Sequence, residues 1–125
     1  MENLEKHTML YNPALYDLSM LEEMDDAEYL LEVLDLLLQE TPKDLKELQE
    51  ALRSGDTETI YKKAHKLKSS AGVIQAENFT GLLTGIETLG KKGIINDELK
   101  GFVEHAAREY RDIENSLKKY VDGIR

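Results

Sequence analysis

The sequence predicts an all-α fold, an up-and-down four-helix bundle with one or two short additional N-terminal helices. Three observations carry that prediction. Apolar residues recur at three- and four-residue steps almost throughout, the spacing that gathers them on one face of a helix. Runs of β-branched residues with period two are absent. The two prolines, Pro13 and Pro42, follow residues able to cap a helix, Asn12 and Thr41. Proline suits the first helical position, because its missing N–H would be unpaired there anyway.

A short first helix is expected from about Pro13 to Met20, and a second from about Asp26 to Gln39 with Ala27, Leu30, Leu34, Leu37 and Leu38 inward. The third starts at Pro42 and buries Leu45, Leu48, Ala51 and Leu52. Ser54-Gly55 stops it, the glycine supplying the left-handed residue that closes a helix. Asp56 caps the fourth, whose Ile60, Ala64, Leu67, Ala71 and Ile74 form one stripe. A break near Gln75 leads to a fifth helix with Phe79, Leu82, Leu83, Ile86 and Leu89 inward, ended by a lysine-flanked cap at Gly90 to Gly93. The last helix starts near Asn96 and shows Leu99, Phe102 or Val103, Ala106, Tyr110, Ile113, Leu117 and Val121 in register. Short turns between amphipathic helices make neighbours antiparallel. The 125 residues are read as a single domain, with 1–11 a loosely ordered N-terminal segment.

Charge narrows the partners. A formal charge of −9, from 25 acidic and 16 basic residues, repels a nucleic-acid backbone and an anionic membrane, so a protein partner is expected. The absence of cysteine removes disulfides, thiolate metal sites and cysteine nucleophiles together. The stretch MENLEKHTMLYNPALYDL lacks a basic start followed by an apolar run, and no segment approaches the roughly 18 apolar residues of a membrane span. A cytoplasmic monomer is the expectation.

The fourth helix carries the chemistry. At about 100° per residue, its apolar stripe lies roughly 140° from His65, which therefore faces solvent. Lys68, Ser69 and Gly72 come within about 60°, 40° and 20° of the histidine, one to two turns further on. An exposed neutral imidazole is a competent nucleophile without a separate base. Lys62, Lys63, Lys66 and Lys68 form a basic knot in an acidic protein, and like charge works against an imidazolium. Lys68 is the residue expected to make a charge-assisted hydrogen bond to a phosphoryl group on His65. Phosphoryl transfer asks for in-line access and charge stabilisation, and the small residues at 69 and 72 give that access.

The run Ala64-His65-Lys66-Leu67-Lys68-Ser69-Ser70-Ala71-Gly72 resembles the signature of histidine-containing phosphotransfer (HPt) domains, commonly A-H-x-L-K-G-S/A-S/A. The likeness continues through Leu52-Arg53-Ser54-Gly55-Asp56, then Leu82, Leu83, Ile86-Glu87 and Lys92-Gly93, with Tyr16-Asp17-Leu18 and Gln39-Glu40-Thr41-Pro42 similar to the family's opening helices. It covers most of the chain. The resemblance implies a four-helix core and a phosphorelay intermediate that accepts a phosphoryl group on His65 from a receiver-domain aspartyl phosphate and passes it to another receiver aspartate. The partners implied are receiver domains of response regulators and of hybrid histidine kinases. It also implies no autokinase activity and no bound cofactor, the receiver supplying both aspartate and Mg2+. Two positions depart from the pattern: Ser69 and Gln75 stand where the family usually has glycine. The Ser69 hydroxyl is expected to bond back to a carbonyl one turn earlier.

Around His65, the expected partner-binding residues are Tyr61, Lys62, Lys66, Ser69 and Gly72, joined by Val33 and Leu36 of the second helix. Tyr29, Val33 and Leu36 give that helix more apolar surface than its stripe needs. Packing under the first helix is one explanation, and receiver docking is the other. His7 and His105 have no companions at metal-ligand spacing, so no metal site is expected. Glycines 81, 85, 90 and 93 follow no phosphate-loop pattern and are assigned to close helix packing and a cap. The rival to the carrier is a non-catalytic helical-bundle module binding a receiver or kinase domain; a metal-dependent bundle enzyme has no support.

Overall fold

The computed structural model describes residues 14–125, so Asn12, Pro13, His7 and the segment 1–11 lie outside the described residues. Five helices follow in order: α1 (Ser19–Glu23), α2 (Ala27–Ser54), α3 (Thr57–Val73), α4 (Glu77–Lys91) and α5 (Asp97–Ile124). No strand occurs among the described residues. The four long helices form a closed ring in which each packs on its chain neighbour and α5 returns to α2, while short α1 leans on α2. Leu34, Leu48, Ile60, Leu67, Leu83, Ile86, Leu99, Ile113 and Leu117 fill the centre. No described helix is long and apolar enough to cross a membrane.

Side-chain caps set the starts of α2, α3 and α5. Asp26, Asp56 and Asn96 accept hydrogen bonds from the backbone N–H groups of Tyr29, Thr59 and Leu99 at 3.0, 3.1 and 2.8 Å, satisfying donors that the first turn leaves open. The ends share another device. After α2, Asp56 N–H reaches Ala51 C=O and Gly55 N–H reaches Leu52 C=O; after α4, Ile94 and Gly93 repeat the pattern on Leu89 and Gly90. These are Schellman turns, whose pivot is left-handed: φ is 76° at Gly55 and 70° at Gly93. The turn after α3 has the same bonds, from Ala76 to Ala71 and from Gln75 to Gly72. Its pivot is Gln75, at φ 49°. A side chain there holds a conformation that glycine adopts without strain.

Three expectations need correction. The second and third helices are one, because α2 runs through Pro42 without ending. A proline inside a helix costs about 3 kcal/mol in lost hydrogen bond and crowding, but Leu34, Leu37, Thr41, Asp44, Leu45 and Leu48 make one buried stripe across it. Burial on both sides outweighs that cost, and Pro42 itself faces solvent, where water can satisfy the freed Leu38 carbonyl. Among the described residues the short helix lies at Ser19–Glu23, and residues 14–18 of the expected Pro13–Met20 helix are not helical. Tyr16 and Leu18 are buried in non-helical backbone, with Asp17 N–H bonded to Ile74 C=O at 2.9 Å and the Asp17 carboxylate accepting from Ser19 N–H at 2.8 Å. Tertiary anchoring has overridden local helix preference. Ala27 is exposed, since it opens α2 beyond the bundle's contact.

Of the four glycines assigned to packing and a cap, Gly81 has open space beside it, where a Cβ would meet nothing within 4 Å. Gly85 faces the Phe102 ring, which half-covers that position while Val103 takes the buried place in α5. Gly90 lies against backbone as well as side chains: a Cβ there would meet Ile60 Cγ2, Tyr61 Cβ and Tyr61 N at 3.1 Å. Absence of a side chain at 90 lets α4 lie against the first half of α3.

Candidate functional site

His65 stands on the outer face of α3, its side chain 70% exposed, with Ser69 and Gly72 also exposed beside it. The wheel places these three as the structure does. A Cβ at Gly72 would meet nothing within 4 Å, so the approach over the second turn is open. Ser69 makes no back-bond to the described residues; that bond is made instead by Thr80, Thr84 and Thr88 along α4.

The residue that sequence reasoning left without a role is Glu87. Close packing at Gly90 brings α4 near α3, and Glu87 reaches across with its residue surface 7% exposed. Its Oε2 lies 2.6 Å from His65 Nδ1, and its Oε1 accepts from Lys68 Nζ at 3.0 Å. Lys91, one turn on in α4, approaches Oε2 to 3.9 Å. The hydrogen bond from Lys68 holds the Glu87 carboxyl below its ordinary range; burial opposes this, while His65, Lys68 again and Lys91 reinforce it. Glu87 is therefore ionised at neutral pH and can only accept. It follows that Nδ1 carries the proton, and in the neutral ring Nε2 keeps its lone pair. A signal was available: an acidic residue interrupts the α4 stripe between Leu83, Ile86 and Gly90.

The lysines around His65 are not an unopposed basic knot. Lys62 pairs with Glu58 at 2.7 Å, Lys63 with Glu47 at 2.6 Å, and both Lys63 and Lys66 with Asp44 of α2, at 3.4 and 3.1 Å. Asp44 is 3% exposed, a second buried carboxylate that the sequence reading passed over. These carboxylates offset the like charge that the sequence places near the imidazole.

Two concavities flank the histidine. One, of about 260 Å³, is lined by Tyr61, Lys62, His65, Glu87 and Lys91. The other, of about 350 Å³, is an apolar groove between α2 and α3, walled by Tyr29, Val33, Leu36 and Val73 and edged by Glu40, Asp44, Lys66 and Ser70. Leu36 is 59% exposed and Tyr29 44%, so packing under the first helix does not account for these two, whereas Val33 is half-buried against the core. Lys66 and Ser70 join the groove to the His65 face.

An antiparallel helical ring that presents His65 at its surface, held at Nδ1 by a carboxylate from the next helix, is a protein class with a name. The sequence matches the Hpt domain family over residues 32–122, and the chain belongs to that family, the phosphotransfer modules of two-component phosphorelays. In fold it is similar to the crystal structure of histidine-containing phosphotransfer protein B (HptB) from Pseudomonas aeruginosa PAO1, with a TM-score of 0.82 and 24% identity over 90% of this chain and 98% of that one. No curated protein matches the sequence.

Proposed function

We propose that this chain relays a phosphoryl group between receiver domains on His65 Nε2, and the observation that carries the proposal is the His65–Glu87 hydrogen bond. The Nε2 lone pair attacks the phosphorus of a receiver aspartyl phosphate. An N–P bond forms, the acyl P–O bond breaks, and the aspartate carboxylate leaves. The ring keeps its Nδ1 proton and gains positive charge, which the Glu87 carboxylate stabilises. Return of the phosphoryl group to a second receiver reverses the step. Glu87 thus fixes the tautomer and answers the charge, while Lys68 keeps Glu87 ionised.

The receiver brings the acceptor aspartate and Mg2+, so the chain requires no cofactor of its own. Docking uses the surface around His65: Ser69 and Gly72 give clearance, Tyr61, Lys62 and Lys66 rim it, and the groove with Val33 and Leu36 supplies apolar contact. The donors and acceptors are receivers of hybrid histidine kinases and response regulators.

The test is incubation with a phosphorylated receiver domain, looking for acid-labile, base-stable label. Label is expected in the wild-type chain and absent from His65→Gln. Label persisting in His65→Gln removes that residue from the role, and unaltered signalling by that variant in cells favours a binding module without transfer.

A further inference from the structure

We infer that Lys91, and not Lys68, is the principal cation for the phosphoryl group on His65, an assignment that rests on the carrier reading above. Four of the lysines near the histidine are already committed. Lys62, Lys63, Lys66 and Lys68 each lie within hydrogen-bond distance of a carboxylate, at 2.7, 2.6, 3.1 and 3.0 Å. Lys68 is also the most enclosed of the site's pair, its side chain 29% exposed against 58% for Lys91. Drawing Lys68 toward a phosphoryl group would strip the buried Glu87 Oε1 of the partner that keeps it charged.

Lys91 has no such commitment. Its Nζ stands 3.9 Å from Glu87 Oε2, too far for a hydrogen bond and close enough to be held in place electrostatically. That same oxygen binds His65 Nδ1, so the lysine is tethered next to the imidazole. Both side chains line the concavity beside the ring, with Tyr61 and Lys62. A dianionic phosphoryl group on Nε2 adds two charges at the mouth of this hollow. Lys91 meets them by a short swing that breaks no hydrogen bond, and its departure leaves Glu87 with both Lys68 and the imidazolium.

The assignment is read by phosphorylating the full chain with a phosphorylated receiver and following the 31P resonance of the phosphohistidine against pH. A nearby cation favours the dianion, so Lys91→Gln is expected to raise the midpoint of the phosphoryl second ionisation by about half a pH unit and to move the transfer equilibrium about threefold toward the receiver. Lys91→Arg restores both, and Lys62→Gln moves neither by as much. Thermal melts of the variants, which alter exposed side chains, confirm folding. Wild-type values in Lys91→Gln, or the larger shift in Lys62→Gln, overturn the assignment while leaving the carrier intact. No label in the wild-type chain overturns the carrier reading first and this one with it.

Discussion

Glu87 Oε2 and His65 Nδ1 lie 2.6 Å apart, a contact that passes from α4 to α3 and joins a buried carboxylate to an exposed ring. The bond selects one of two imidazole tautomers. Replacing Glu87 with Ala lets both compete and removes the compensating charge. Transfer from a phosphorylated receiver is expected to slow about 10- to 100-fold, the usual cost of losing an orienting carboxylate. Rapid-quench kinetics check this, and an unchanged rate would falsify the tautomer argument.

The Glu87 carboxyl is held below its ordinary value of 4.5, first by the hydrogen bond from Lys68. A depressed carboxylate stabilises the fold at pH above the ordinary value and loses that contribution as pH falls through the folded value. The stability advantage of the wild-type chain over Glu87→Gln is therefore expected to be constant near neutrality and to shrink below about pH 4.5. Urea midpoints measured from pH 7 to pH 3 give the comparison; a gap that widens on acidification has the wrong sign.

Gln75 sits in the left-handed position that Gly55 and Gly93 occupy in the other two turns. Left-handed backbone costs a side chain about 1–2 kcal/mol, and glycine gives back part of the gain as unfolded-state entropy. Gln75→Gly is expected to stabilise the chain by about 0.5–1 kcal/mol and raise the melting temperature by a few degrees. Gln75→Ala, which keeps a Cβ, is expected to change little.

Gly90 and Gly81 lie on the same helix with opposite surroundings. Gly90→Ala pushes a Cβ into Ile60 and Tyr61, including a backbone nitrogen that cannot turn aside. A loss of about 1–3 kcal/mol is expected, together with slower phosphoryl transfer, because the wedge separates Glu87 from His65. Gly81→Ala meets nothing and gains helix propensity, so about 0.5–1 kcal/mol of added stability is expected. Equal effects from the two variants, measured by chemical denaturation, contradict the packing argument.

In the groove beside the site, Leu36 and Val73 are exposed, 59% and 45%. Leu36→Asp or Val73→Asp is expected to weaken receiver binding about tenfold with melting temperature nearly unchanged, since neither side chain is in the core. Calorimetric titration with a receiver checks this. A large fall in stability instead assigns these residues to packing.

Much of this was legible before the structure. The stripe of α3 gave the outward turn of His65, and the triplet of His65, Ser69 and Gly72 needed only helical periodicity. Polar residues at buried positions escaped, because periodicity sorts apolar from polar and treats a carboxylate as solvent-facing. Glu87 and Asp44 break that rule, each held by lysines from α3. Pro42 misled in the other direction. A capping residue before a proline is a sound start signal locally, but the burial running from Leu34 to Leu48 is summed over the whole helix and outweighs it. The Tyr16–Leu18 segment likewise answers to a distant partner, the end of α3.

The residues of the site are close in sequence as well as in space. His65 and Glu87 are 22 positions apart, on two helices joined by the turn at Gln75. The contacts that orient the His65 ring, from the Gly90 approach to the Lys68 bond, lie within that single hairpin. Low sequence separation lets such contacts form early, whereas the return of α5 to α2 and the bond of Tyr120 to Glu22, 98 positions away, wait for the chain to close on itself. The reactive unit is thus expected to assemble without waiting for the chain to close on itself, leaving the long-range closure to the scaffold behind it.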